Sequence, residues 1–198
     1  MKDFLDKIFG IALFVILSPV YVIIIFLLFM FTNETVIYSH IRVGKNGRKF
    51  RLYKFRTMSS NPSILSNYFK ENPEKQKIWE EKQKLIYDPR ITKVGDCLRE
   101  YSLDELPQVF NIIKGEMSFI GPRPIVEEEI SKYGESFKIY KKVKPGLSGL
   151  WQVSGRNDMS YDERISCDVE YIKNQSLLLD IKIFIKTFYA VLSRKGAY

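Results

Sequence analysis

The sequence predicts an α+β chain: an apolar N-terminal helix broken at Ser18-Pro19, then a compact, mostly helical domain with one small β-hairpin and amphipathic surface helices. Three observations carry this. From Ile8 to Phe31 no side chain is charged, residues 35 to 55 alternate with the two-residue period of strands, and later apolar residues recur at helical spacing. Among 198 residues, 45% hydrophobic and 27% charged side chains exclude a disordered tail, a collagen-like fibre or a multi-span transporter. The 31 Lys and Arg against 23 Asp and Glu, net +8, fall outside the apolar run, so a basic body carries one membrane-competent segment.

The apolar run is longer than the core of a signal peptide, and no small-residue cleavage site follows it. As a continuous helix it would extend about 36 Å, enough to cross a bilayer core of about 30 Å. Pro19 removes a backbone hydrogen bond and crowds the preceding turn, so a kink is expected there, and the Ser18 hydroxyl can satisfy a freed backbone group. A kinked single span is the default reading. The alternative is a bent helix that enters and leaves one leaflet, favoured by basic residues at both ends: Lys2 and Lys7 before, Arg42 and Lys45 after.

Residues 34 to 58 read as a hairpin turning at Gly44-Lys45-Asn46-Gly47, with Phe50 to Phe55 alternating apolar and basic to give one basic face. A loop is expected from Ser59 to Ser66, a surface helix from Pro73 to Ile86, and a short helix over 91 to 100 ending near Arg99. Leu106, Val109, Phe110 and Ile113 then mark an amphipathic helix that starts around Ser102 and closes at Gly115. Residues 144–149 and 154–157 read as turns, and Tyr161 to Asn174 as a polar helix. Leu177 to Leu192 reads as a basic amphipathic helix, for which a membrane surface and the core are equally good hosts.

With one histidine, His40, and two distant cysteines, Cys97 and Cys167, acid–base or metal chemistry must use carboxylates. Asp104-Glu105 leads. Ser102 and Glu105 fit a capping box, and first-turn acids complement the helix dipole; the same free N–H groups would also keep a carboxylate ionised and nucleophilic. Two adjacent carboxylates suit Mg²⁺ shared with substrate phosphates. Arg123, between Pro122 and Pro124, is a guanidinium on a stiff mount and can bind phosphate oxygens bidentately. Lys54, Arg99 and Arg156 are further cations near element ends.

Four stretches, YKFRTM (53–58), SLDELPQVFNIIKGEMSFIGPRP (102–124), VKPGLSGLWQVSGRN (143–157) and LLLDIKI (177–183), occur in an order that resembles the bacterial sugar transferases called monotopic phosphoglycosyl transferases, in their small, minimal-core form. The resemblance implies that residues 1–33 are a re-entrant membrane helix, reversing the single-span default, and that 34–198 are a cytoplasmic catalytic domain with membrane-interface helices. It implies transfer of a sugar-1-phosphate from a UDP-sugar to polyprenol (undecaprenyl) phosphate, giving polyprenyl-diphosphate-sugar and UMP. Asp104 would be the nucleophile of a covalent aspartyl phospho-sugar intermediate, and Glu105 would hold Mg²⁺ with it, orient it or handle a proton. Arg123, with Arg99, Lys54 and Arg156, would bind phosphate or nucleotide. The expected location is the cytoplasmic face of the bacterial inner membrane, with membrane lipid as a partner. A membrane-anchored basic scaffold is the competing class; no nucleic-acid module appears, and homo-oligomerisation is left open.

Overall fold

A computed structural model describes residues 2–32, 34–82, 85, 87–155 and 159–192. The fold is α+β and mostly helical. Helices α1 (Lys2–Ile16) and α2 (Ser18–Phe31) are bent by 61° at the predicted break. Pro19 sits in the first turn of α2, where its missing N–H costs nothing, and Ser18 Oγ donates to the Val15 carbonyl at 2.8 Å. No single helix among the described residues is long and apolar enough to cross a membrane, whereas the bent pair is by composition.

Both halves lie on the domain along narrow stripes. α1 buries Asp6 and Gly10, and α2 buries Tyr21, Ile24 and Leu28 at i, i+3 and i+7. The opposite sides leave Phe9, Ile16, Phe26, Phe29 and Phe31 exposed.

The hairpin pairs β1 (Ile37–Val43) with β2 (Lys49–Phe55) in the register Ile37↔Phe55 to Val43↔Lys49. Asn46 and Gly47 take positive φ in its turn. The expected loop at 59–66 is instead half helix. Asn61 caps α3 (Pro62–Glu71) by accepting from the Ser63 N–H, and Pro62 opens it. Helices α4 (Pro73–Lys82) and α5 (Lys93–Glu100) follow, Thr92 capping the latter. Gly95 is required there, because a Cβ would lie 2.1 Å from the Thr57 carbonyl oxygen.

The single helix expected over 102–115 is split. Leu103–Glu105 is one 3₁₀ turn, and α6 (Gln108–Lys114) starts after Pro107 and closes at Gly115 with φ +80°. Its neighbours also redistribute its faces. Phe110 and Ile113 turn to α1, with the Phe14 ring 4.7 Å away, while Asn111 and Ile112 are fully buried.

The turn-rich segment after Lys144 holds a short strand. β3 (Ser118–Ile120) pairs in parallel with β4 (Gly146–Ser148), after α7 (Ile130–Tyr133) and α8 (Phe137–Tyr140). α9 (Leu150–Ser154), α10 (Tyr161–Lys173) and α11 (Leu177–Leu192) complete the chain. α11 buries Ile183 but exposes Leu178, Ile181, Phe184, Ile185, Phe188 and Tyr189 beside exposed Lys182 and Lys186. Of the two hosts, the core accounts for Ile183 and part of Leu179, so the rest is left for an apolar surround.

Candidate active site

Strand alternation places Lys54 on the same face of β2 as Phe50 and Leu52, the face that packs inward. It therefore does not join the basic face of Arg51; it breaks phase and points into the domain. There its ammonium lies 2.6 Å from Glu105 Oε1 and 3.4 Å from Asp104 Oδ2. The 3₁₀ turn presents both carboxylates to one cation.

One strained residue and two side chains set this turn and the strand that faces it. Ser102, at φ 56°, adopts the left-handed region that a non-glycine residue occupies at a cost of about 1–3 kcal/mol, reversing the chain between α5 and the acidic pair. The Ser102 hydroxyl caps nothing, so the capping box expected with Glu105 does not form. Beyond the pair, the Tyr21 hydroxyl of α2 donates to the Leu106 carbonyl at 2.7 Å, tying the apolar helix to the acidic turn. Across the pair, Asn111 matches the free edge of β2: its Nδ2 donates to the Arg51 carbonyl at 2.7 Å, and its Oδ1 accepts from the Tyr53 N–H at 3.1 Å. This fixes the strand one residue before Lys54.

Burial pushes the Asp104 carboxyl above the ordinary carboxylate range, with the Glu105 charge adding to it and Lys54 and Arg99 opposing it. Burial equally disfavours the Lys54 ammonium, but the two carboxylates outweigh it and hold its pKa above the ordinary lysine value. The charge of Asp104 thus rests on Lys54 and, more weakly, Arg99, since the helix start expected behind it is a single 3₁₀ turn. Arg99 acts on Asp104 from α5, and the field of Arg123 opposes the charge on Lys54.

Arg123 has the rigid mount its flanking prolines predicted, and the sequence around 146–149 builds it. The Gly121 N–H donates to Ser148 and the Gly146 N–H to the Pro122 carbonyl, at 2.9 and 2.8 Å. The backbones touch: a Cβ on Gly146 would fall 2.1 Å from Gly121 N. The Tyr140 hydroxyl lies 3.0 Å from the Arg123 carbonyl, and the guanidinium stacks over Trp151 at 5.4 Å. Arg156 lies outside the described residues.

Lys54, Asp104 and Glu105 are therefore brought into contact, with Arg99 and Arg123 within electrostatic reach. Sequence reasoning missed Asn111, Tyr21 and Tyr140. The signals available were an asparagine inside an apolar helix and a tyrosine inside the uncharged run.

Among the described residues no cluster of three or more His, Cys, Asp or Glu could form an all-protein metal cage. Two carboxylates that converge on one ammonium do present hard oxygens to a common cation. That donor set fits Mg²⁺, which takes one or two protein carboxylates and completes its shell with phosphate oxygens and water.

Cations around a lysine-held acidic pair, next to a bent apolar helix pair, form an arrangement suited to phosphate groups presented at an apolar boundary. More specifically, the chain belongs to the bacterial sugar transferase family, whose model matches residues 1–194. It is 44% identical over 198 residues to the exopolysaccharide production protein ExoY of Sinorhizobium fredii, covering 100% of this chain and 88% of that protein. It is 45% identical over 201 residues to the undecaprenyl-phosphate galactose phosphotransferase of Salmonella typhimurium. The UDP-galactose-lipid carrier transferase of Erwinia amylovora is also 45% identical, over 199 residues. The whole chain is covered in both, but it spans only 42% of the length of each.

Proposed function

We propose that this chain transfers a sugar-1-phosphate from a UDP-sugar to undecaprenyl phosphate, initiating a bacterial surface polysaccharide, by way of a covalent aspartyl intermediate. The observation that carries the reading is the convergence of Asp104 and Glu105 on Lys54, beside an apolar helix pair. The names of the Salmonella and Erwinia relatives supply the substrate class, and that of the Sinorhizobium relative the polysaccharide.

In the first step, an Asp104 carboxylate oxygen attacks the β-phosphorus of the UDP-sugar. The bond from that phosphorus to the bridging oxygen breaks, and UMP leaves with the oxygen. In the second, a phosphate oxygen of undecaprenyl phosphate attacks the same phosphorus, and the Asp104 carboxylate departs unchanged. Lys54 holds Asp104 ionised between turnovers, and Arg123, Arg99 and Arg156 receive the diphosphate charge. Asp104 and Glu105 would hold Mg²⁺, which when bound would neutralise phosphate charge.

The lipid acceptor has a matching route. An apolar cleft of about 510 Å³ is lined by Phe14, Ser18 and Tyr21 at the helix break and by Pro107, Phe110 and Lys114 beside the acidic turn. A prenyl chain lying there brings its phosphate to the level of residue 104. The bent pair supports re-entry into one leaflet from the cytoplasmic face. Lys2, at its start, is bound to Asp180 and to the Tyr171 hydroxyl, each at 2.7 Å, while its other end, at Phe31, feeds the hairpin of the same domain.

The direct test is UMP release by the full chain in nanodiscs, with undecaprenyl phosphate and a panel of UDP-sugars. Release with one or more of them, dependent on added Mg²⁺, is the expected result. Release unaffected by chelation contradicts the metal assignment, and no release from any member contradicts the reading.

A further inference from the structure

A second cleft, about 720 Å³, opens on the other side of α1, between α1 and α11. The α1 stripe that faces the acidic site carries Gly10 and Phe14, packed on Ile113 and Phe110 of α6. Leu5, Phe9 and Leu13, at four-residue spacing, line the second cleft instead, opposite Ile181 and Phe184 of α11. Helix α1 therefore stands between the two clefts, and no residue of the acidic pair or its cations lines this one.

The cleft is polar at one end only. Lys2, Asp3 and Asp6 at the start of α1 gather there with Lys45, Lys142 and Lys144, whereas the walls further along both helices are aliphatic and aromatic. Lys2 is paired with Asp180, Lys144 with Asp3, and Asp6 accepts from the Ser118 hydroxyl. Lys45 and Lys142 are exposed and form no ion pair among the described residues. The hairpin turn holds them as neighbours, because the Asn46 N–H donates to the Lys141 carbonyl at 2.7 Å. An apolar trough ending in two exposed ammonium groups, neither in an ion pair among the described residues, matches an amphiphile with an anionic head. Exposed apolar residues on the outer faces of both walls, among them Phe4, Ile8 and Phe188, set its mouth in an apolar surround.

We infer that this cleft binds an anionic phospholipid of the bilayer, its phosphodiester against Lys45 and Lys142 and one acyl chain between Phe9, Leu13, Ile181 and Phe184. The bound lipid joins the re-entrant helix to the last amphipathic helix and fixes the depth of the domain. It is a site separate from that of the transferred substrates.

The test is native mass spectrometry of the full chain released from nanodiscs of phosphatidylcholine, with or without phosphatidylglycerol. Wild type is expected to retain one phosphatidylglycerol and to prefer it to phosphatidylcholine. Lys45→Glu/Lys142→Glu is expected to lose this retention by about tenfold or more, and Lys45→Arg/Lys142→Arg to keep it. UMP release in detergent is expected to be unchanged in both, which separates this site from the proposed reaction. Equal retention of the two lipids, retention unchanged by the double Glu variant, or displacement of the lipid by undecaprenyl phosphate alone would each overturn the inference.

Discussion

Of the carboxylates buried among the described residues, Asp104 and Asp168 differ in what stands beside them. Asp104 is 9% exposed and faces an ammonium; Asp168, on α10, is 1% exposed and accepts from the Tyr133 hydroxyl at 2.7 Å. Burial raises both. At both it outweighs what opposes it: the Asp104 carboxyl is raised against Lys54, and the Asp168 carboxyl is pushed up to about 7 against the Tyr133 hydrogen bond and Arg123. Tyr133 is correspondingly driven up by burial and by the Asp168 charge. The lesson is that depth alone does not mark a reactive acid. An ammonium in contact with a buried carboxylate favours its anion, whereas at Asp168 the hydrogen bond from a phenol ties the carboxyl into the structure. Asp168 fastens α10 to α7 behind the Arg123 mount, and Asp104 is left to react.

The comparison breaks most visibly at the two aspartates. Asp104→Asn is expected to lower UMP release by about 10³-fold or more while leaving membrane binding and thermal unfolding near wild type, and Asp168→Asn to leave UMP release within a few-fold. Comparable losses at both positions, read in one UMP assay, would erase the distinction. Next in size is the cation. Lys54→Ala is expected to cost about 10²–10³-fold in kcat, since one preorganised charge is removed from a partly buried site, and activity near wild type would show that Asp104 needs no lysine.

Arg123→Lys keeps the charge but loses the planar stack on Trp151 and the bidentate fork. The expected result is a rise of about tenfold in KM for the UDP-sugar with a smaller change in kcat. The smallest effect sharpens the Asp168 side. Its folded pKa lies above the unfolded value of 3.8, so the folded state holds the proton more tightly, and its contribution to stability falls as pH rises from about 4 through about 7. Relative to wild type, Asp168→Asn should therefore gain roughly 2 kcal/mol between pH 5 and pH 8, measured by unfolding in detergent. A pH-independent difference would place the Asp168 pKa near its ordinary value.

Much of this architecture was legible because its causes are local. The proline break, the hairpin and the Gly115 stop are written in residues a few positions apart. The acidic pair and Arg123 were legible through their motifs. What was not legible depends on partners distant in sequence. Asn111 looks like a polar-face residue until β2 presents Arg51 and Tyr53 to it, and the split of α6 follows from Pro107 together with Tyr21 on the Leu106 carbonyl. Lys54 is the middle case: counting strand phase from Phe50 puts it on the buried face, although its basic neighbours suggest a solvated one. The 146–148 strand was hidden by its glycines, which read as turn formers but serve close backbone packing against Gly121.

The central claim is that Asp104 itself carries the phospho-sugar. The most direct measurement is intact-protein and peptide mass spectrometry after mixing the full chain with a UDP-sugar it accepts, Mg²⁺ and no lipid acceptor. The account predicts about one UMP released per active site and a sugar-phosphate adduct on the peptide containing Asp104, discharged when undecaprenyl phosphate is added and absent in Asp104→Asn. Turnover only when both substrates are present, with no UMP burst and no adduct on that peptide, would contradict it.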